Sequence, residues 1–117
     1  MSRGSNPSCE VLVMKQEETL IQTDSVRVRD MQLPPGEATP WHFHREVTDH
    51  LVGLTGLIVV RLQGPAAVLE LHPGQRFTVE VGRVHQVANG SSTQPASYLL
   101  IQGVGHYDFN IVEPEDK

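Results

Sequence analysis

Short runs of hydrophobic and β-branched residues recur along the chain, separated by Gly, Pro, Asn and Ser. No long stretch shows the 3.6-residue period of an amphipathic helix, whereas the runs have strand length and near-regular spacing, which predicts an all-β sandwich or barrel. The predicted strands cover residues 11–14, 19–22, 26–33, 41–44, 49–54, 57–62, 68–71, 76–81, 85–88, 98–102 and 106–112.

Two neighbouring strands carry more hydrophobic residues than a sheet with one wet face requires. Residues 49–54 and 57–62 flank the dipeptide Thr55-Gly56, which predicts a hairpin with a tight turn. Leu51 and Val52 have opposite parity, and residues 57–60 are continuously hydrophobic, so both strands are expected to be covered on both faces. A second copy of the chain would supply that cover, and we therefore expect a homodimer.

The chain has 117 residues, the size of one domain, and its 9 basic and 14 acidic residues give a net charge of −5. This balance argues against nucleic acid and anionic membrane surfaces as partners, because both require a basic face. We expect three parts: an N-terminal extension with short strands that takes part in dimer formation (1–23), a barrel (24–112) and an acidic tail (113–117).

Sorting signals and cysteine chemistry contribute little to the interpretation. The chain has no apolar leader and no hydrophobic run of membrane-spanning length, so a cytoplasmic location is expected. Cys9 is the single cysteine, which excludes an intrachain disulfide framework and a thiolate zinc site.

Four residues form a candidate metal site. His42 and His44 are two residues apart, so on a strand both imidazoles lie on the same face. Asp49 can turn inward from the next strand after a turn or bulge at residues 45–48, and His85 opens a later strand. Three imidazoles and one carboxylate suit Fe, Mn, Ni, Cu or Zn and leave two positions open on an octahedral ion. The spacing alone is also compatible with ordinary surface or half-buried histidines.

Two arginines are candidates for binding a substrate. Arg27 and Arg29 share a face of their strand with Met31. If that face points inward, their guanidinium groups can clamp a carboxylate or a phosphate. In the alternative arrangement the two arginines are solvated, and Val26 and Val28 lie in the core.

Four more polar residues are candidates for the pocket or for proton transfer. Tyr98 and Gln102 share a parity on a late strand and are candidates to line the barrel mouth, whereas Leu100 between them is equally consistent with packing of this face in the core. Glu46 and His106 are candidate acid–base groups, and Glu46 is also a weaker substitute for the carboxylate ligand.

Residues 36–56, GEATPWHFHREVTDHLVGLTG, resemble the first conserved motif of the cupin superfamily. In that motif a glycine is followed by an H-x-H pair, a glutamate and a second glycine. Gly36, His42, His44 and Gly56 are in register with it, and Asp49 stands at the glutamate position. Aspartate is one methylene shorter than glutamate, so Asp49 either coordinates directly, acts through a water or leaves a three-histidine site.

Residues 74–89, GQRFTVEVGRVHQVAN, resemble the second cupin motif. Gly74, Gly82, His85 and Asn89 match its glycines, histidine and asparagine, whereas Glu80 replaces its proline. The two motifs and the short segment between them span about half of the chain.

The resemblance implies an all-β fold, a single antiparallel jelly-roll barrel of the cupin type. It also implies one divalent transition metal per chain, held by His42, His44, Asp49 and His85, with a small molecule as ligand or substrate. We expect a metalloenzyme with dioxygenase, isomerase or lyase chemistry on a small polar substrate. The alternative is a non-catalytic metal-containing module that binds or senses a small ligand, and a metal-free barrel is a third possibility.

Overall fold

The computed structural model describes residues 16–113, and this part of the chain is built from strands and turns without a helix. Accordingly, no helix long and apolar enough to cross a membrane occurs among the described residues. The strands are β1 (Gln16–Gln22), β2 (Arg27–Leu33), β3 (His42–Phe43), β4 (Thr48–Thr55), β5 (Ile58–Leu62), β6 (Ala67–Leu71), β7 (Arg76–Val79), β8 (His85–Asn89), β9 (Ala96–Gly103) and β10 (Asn110–Ile111).

The strands form two five-stranded antiparallel sheets that face each other, as in a jelly roll. One sheet has the order β1-β2-β9-β4-β7 and the other has the order β10-β3-β8-β5-β6. Side chains of β9 point alternately toward and away from the core, and every second residue of that strand is therefore buried. The hydrophobic core between the sheets contains, among others, Leu33, Leu51, Ile58, Val60, Val87 and Leu100.

The predicted hairpin of residues 49–54 and 57–62 is wrong. Strand β4 pairs with β7 and β9, whereas β5 pairs with β6 and β8, so the two strands lie in different sheets. Gly56 has a φ of 70°, and a Cβ at this position would lie 2.6 Å from the carbonyl oxygen of Pro95. The Thr55-Gly56 turn therefore passes close to the start of β9 and leads the chain across to the other sheet.

Only one of the two strands expected to be covered on both faces is buried in that way. In β4, Leu51 is buried, Val52 is half-buried and Leu54 is 39% exposed, so this strand alternates. In β5, Ile58, Val59 and Val60 are all buried within the single chain. The burial of β5 thus needs no second copy, and the homodimer stays a prediction.

The ends of the chain depart most from the expected strand boundaries. The strand predicted at 11–14 lies outside the described residues, and so does the acidic tail after Glu113. Strand β1 begins three residues earlier than predicted and pairs with β2, so the part of the expected extension that is described belongs to the first sheet. The strand predicted at 106–112 is reduced to β10, because residues 104–109 form an irregular segment.

Candidate metal centre

Three buried histidines lie between the two sheets with their rings held by backbone carbonyls. Nδ1 of His42 lies 2.7 Å from the carbonyl oxygen of Pro40, and Nδ1 of His85 lies 2.8 Å from that of Arg83. Nδ1 of His44 makes the same kind of short contact with the carbonyl of Asp108. A carbonyl oxygen can only accept a hydrogen bond, so each Nδ1 carries a proton and each Nε2 is free to face the interior.

The strands bring the three Nε2 atoms and one carboxylate to a common point. His42 on β3 is the direct cross-strand partner of His85 on β8, and Asp49 lies opposite them on β4. One ligand atom from each of His42, His44, Asp49 and His85 lies within 4.8 Å of all the others. The four residues expected to bind metal are therefore together and buried.

The position of Asp49 fits direct coordination. Its Oδ2 lies 3.1 Å from Nε2 of His44 and 3.1 Å from Nε2 of His85. Two ligand atoms at right angles around a transition metal, each at about 2.1 Å, lie about 3.0 Å apart. The shorter side chain of aspartate therefore brings Oδ2 within ligand distance of both imidazoles, and the donor set fits a divalent transition metal.

The electrostatics of this cluster favour a bound cation. Burial tends to raise the pKa of the Asp49 carboxyl, but hydrogen bonds from His44 and His85 outweigh it and hold the pKa well below its usual range. Burial tends to lower the pKa of His44, but its hydrogen bond to Asp49 prevails and raises it. Burial, together with the charge of His85, lowers the pKa of His42 to about 4. A negative oxygen thus faces Nε2 atoms that either hold a proton or bind a metal ion.

A row of polar residues crosses the first sheet and ends at the metal site. Arg27, Gln102 and Asp49 are direct cross-strand partners on β2, β9 and β4. Nε and Nη2 of Arg27 donate to Oε1 of Gln102 over 3.3 Å, and Nε2 of Gln102 donates to Oδ1 of Asp49 over 3.0 Å. Gln102, a predicted pocket residue, is 2% exposed, and it orients the Asp49 carboxylate from inside the barrel.

A cavity of about 30 Å³ is lined by three of the four candidate ligands, His42, His44 and Asp49. Arg29 and Tyr98, both predicted pocket residues, line it together with Gln102. Burial, and secondarily the charge of Asp49, raises the pKa of the Tyr98 phenol, whereas the charge of Arg29 tends to lower it. Tyr98 therefore keeps its proton and can donate a hydrogen bond into the cavity.

Two aromatic residues of the irregular segment before β10 complete the cavity, and the sequence analysis does not identify them. The Phe109 ring stacks on His42 with 4.4 Å between centroids, and the Tyr107 ring lies 5.5 Å from that of His44. Arg27 lies over the Tyr107 ring, with its Cζ 3.6 Å from the ring centroid. The spacing of two residues between Tyr107 and Phe109 is the available signal, since it puts both rings on one side of an extended segment.

The candidate acid–base residues lie away from the four ligands. Glu46 and His106 are both exposed, and Oε1 of Glu46 accepts a hydrogen bond from the backbone N–H of His106 over 3.1 Å. His50 and His72, which the sequence analysis does not assign to the metal, are exposed as well. His50 contacts Thr78, and His72 contacts Glu70.

Sequence comparison matches residues 29–102 to the model of one protein family, described as Cupin domain. This match includes all four candidate ligands and 74 of the 117 residues. No curated protein sequence matches the chain.

Solved structures with low sequence identity share the fold. An uncharacterized conserved protein with a double-stranded β-helix domain from Klebsiella pneumoniae has a TM-score of 0.75 and 20% identity, over 97% of this chain and 86% of that one. A cupin superfamily protein from Desulfitobacterium hafniense has a TM-score of 0.69 and 18% identity, over 79% of each chain. An oxalate oxidase has a TM-score of 0.72 and 17% identity, over 84% of this chain and 55% of the oxidase. At these identities the likeness shows the fold alone.

Proposed function

The chain belongs to the cupin family, and on that premise we propose that it is a metalloenzyme acting on a small polar molecule. The ligands are His42, His44, Asp49 and His85, with Asp49 coordinating directly through Oδ2. The observation that carries the proposal is the set of three Nδ1–carbonyl contacts, because they aim three Nε2 atoms at one carboxylate oxygen.

The donor set favours catalysis over a purely structural role. Four protein ligands leave two positions open on a six-coordinate ion, whereas a structural site is normally closed by protein ligands. A divalent transition metal bound there would supply Lewis acidity or activate water or dioxygen for dioxygenase, isomerase or lyase chemistry. Fe, Mn, Ni, Zn and Cu all accept imidazole and carboxylate ligands, and metal analysis selects among them.

The residues around the cavity define what the chain itself would contribute to substrate binding and to the exclusion of water. Tyr98 presents a neutral phenol that can donate a hydrogen bond to a substrate oxygen, and Arg29 presents a permanent positive charge. Phe109 and Tyr107 cover the imidazoles of His42 and His44 and reduce their access to bulk water. The exposed pair Glu46 and His106 lies outside this cavity, and we assign it no role in proton transfer.

The metal is tested by elemental analysis of protein purified without a nickel column. We expect about one transition-metal ion per wild-type chain and little in a His42→Ala/His44→Ala variant. The matched control is His50→Ala/His72→Ala, which removes two exposed histidines and should keep the full metal content. Equal metal content in both double variants, or a wild-type chain that takes up no Fe, Mn, Ni, Cu or Zn, would refute the site.

Catalysis is tested separately from metal binding. Metal-loaded wild-type protein and the His42→Ala/His44→Ala variant are incubated with a mixture of small hydroxy and keto acids, amino acids and sugars, in air and without oxygen. We expect mass spectrometry to show consumption of at least one compound by the wild-type protein alone. If loaded protein retains a compound from the mixture without converting it, the non-catalytic binding module replaces the enzyme.

A further inference from the structure

The two arginines of β2 have different surroundings although both are half-buried. Arg27 does not line the cavity, and its guanidinium group donates two hydrogen bonds to Gln102 and stacks on Tyr107. Arg29 lines the cavity beside the candidate metal ligands, and one of its nitrogens, Nη2, lies 2.7 Å from Oε1 of Glu17. Arg29 is thus the arginine that can offer donors to a molecule in the cavity.

The Nε–H of Arg29 is a buried donor without a hydrogen-bond partner among residues 16–113. A buried charged donor left unpaired costs free energy, and a ligand that supplies an acceptor regains it. Since Arg29 shares the cavity with His42, His44 and Asp49, that acceptor would belong to a molecule bound next to the metal site.

Charge and size narrow the class of this molecule. A divalent ion and the guanidinium of Arg29, set against the carboxylates of Asp49 and Glu17, leave a net positive charge at the cavity, which favours an anion. The cavity volume of about 30 Å³ corresponds to about two or three water-sized positions. A planar carboxylate matches both this small space and the flat fork of a guanidinium group better than a tetrahedral phosphate does.

We propose that the cavity binds a small carboxylate, with the guanidinium group of Arg29 as its anchor. This inference rests on the proposed function for its location, since the carboxylate would lie beside the metal ligands. It adds the chemical class of the substrate. It also gives the two arginines different roles, since Arg29 contacts the carboxylate and Arg27 positions Gln102.

Glu17 competes with the ligand for the same guanidinium group. Its carboxylate is about half exposed on the edge strand β1, so its pairing with Arg29 is accessible to solvent and easily exchanged. Removing its charge by Glu17→Gln frees Arg29 for the external carboxylate. The substitution keeps the shape of the side chain and therefore tests the proposal in a chain that retains its fold.

The experiment uses formate as the probe and formamide as its uncharged counterpart, in ¹⁵N-labelled full-length protein. The Nε–H signal of Arg29 is assigned by its loss in Arg29→Met and is followed by NMR in every protein that retains Arg29. Formate affinities of all variants, Arg29→Met included, are taken from the backbone amide signals of the cavity residues Tyr98 and Gln102. We expect formate to shift this signal to saturation and formamide to leave it unchanged. Glu17→Gln should bind formate several-fold more tightly, and Arg29→Met about tenfold or more weakly. The matched control Arg76→Met, on the exposed side of β7, should bind as the wild type does.

The titration is run on metal-free and on Zn²⁺-loaded protein, so that the two proposals fail separately. If no Zn²⁺ binds but formate still shifts the Arg29 signal, the metalloenzyme is refuted and the carboxylate site stands. If Zn²⁺ binds at one ion per chain but formate leaves the Arg29 signal unmoved, the carboxylate site is refuted. Equal formate affinity of the wild-type and Arg29→Met proteins in both forms would also overturn it.

Discussion

Gln102 donates a hydrogen bond from its side-chain amide to Oδ1 of Asp49 over 3.0 Å, from the directly opposite position on the neighbouring strand. The orientation of this amide is fixed from its other side, because the guanidinium group of Arg27 has donors only and therefore faces Oε1. The amide nitrogen must then point at Asp49. One carboxylate oxygen is thus held by Gln102, and the other faces Nε2 of His44 and of His85.

Gln102→Leu should weaken metal binding while it preserves the four ligands. Without the amide, Asp49 can rotate away from His44 and His85, and loss of a partner that orients a ligand typically lowers metal affinity by about tenfold to a hundredfold. The measurement is a competition titration of Zn²⁺ against a chromophoric chelator.

The chain contains a matched control for this variant. Gln86 accepts a hydrogen bond from Arg61 across two strands of the other sheet, which is the same kind of arginine–glutamine pair. Gln86→Leu should leave Zn²⁺ affinity unchanged. A similar loss of affinity in both variants would mean that Gln102 acts through general stability and not by orienting Asp49.

Asp49→Asn should lose more affinity for Zn²⁺ than Gln102→Leu does. Gln102 donates to Oδ1, so an asparagine would turn its oxygen toward Gln102 and its NH₂ group toward His44 and His85, where a ligand oxygen is required. Adding Gln102→Leu to Asp49→Asn removes this orienting donor and should restore part of the affinity. Losses that simply add in the double variant would contradict direct coordination by Oδ2.

Metal affinity should rise as the pH increases from below 6.5, because His44 must release a proton to bind. Burial acts to lower the pKa of His44, but the hydrogen bond to the Asp49 carboxylate prevails and raises it above the ordinary value of 6.5, so in the metal-free chain more than half of this imidazole is protonated at pH 6.5. A metal ion binds only the neutral imidazole. The metal affinity is therefore reduced at pH values below the raised pKa of His44, and it increases by up to about tenfold per pH unit as the pH approaches that pKa.

Calorimetry of Zn²⁺ binding in two buffers of different ionisation enthalpy counts the protons released. We expect the release of more than half a proton per ion at pH 6.5 from wild-type protein and from the control His50→Ala, and less from His44→Ala. His42 should contribute little to this count, because its pKa is already lowered to about 4. A wild-type affinity that stays constant between pH 6.5 and 8 would contradict the charge state inferred for His44.

The sequence predicts that the four candidate ligands lie together, because their positions depend on local spacing. His42 and His44 share a face through strand parity, and the motif glycines mark the turns that bring Asp49 and His85 back to the same region. The fold class and most strand boundaries follow from the same local alternation, as β9 shows with every second residue buried. These features need no information about distant contacts.

Long-range features were predicted less well. Thr55-Gly56 has the composition of a hairpin turn, but the close approach of Gly56 to Pro95 is a contact between segments about 40 residues apart. Tyr107 and Phe109 lie on an irregular segment whose position is set by contacts with Arg27 and His42, which no local pattern reveals. The separation of the roles of Arg27 and Arg29 likewise depends on Gln102 and Glu17, which lie on other strands.

Two glycines of the first cupin motif should respond differently to alanine. Gly36 and Gly56 have nearly the same φ, 75° and 70°, so Ala at either position pays the same backbone strain of about 1–2 kcal/mol. A Cβ at Gly36 meets no described atom within 4 Å, whereas at Gly56 it lies 2.6 Å from the Pro95 carbonyl oxygen and 2.9 Å from the Ala96 Cβ. Gly36→Ala is therefore the matched control for Gly56→Ala.

We expect Gly56→Ala to lower the free energy of unfolding by at least about 2 kcal/mol more than Gly36→Ala does, because backbone atoms cannot move aside as a flexible side chain can. Equilibrium unfolding in urea measures both losses. The overlap lies at the start of β9, which carries Gln102, so Gly56→Ala should also weaken Zn²⁺ binding while Gly36→Ala leaves it intact. Equal losses of stability in the two variants would show that the backbone at Pro95 moves aside without loss of free energy. Glycine would then be required at position 56 only for its positive φ.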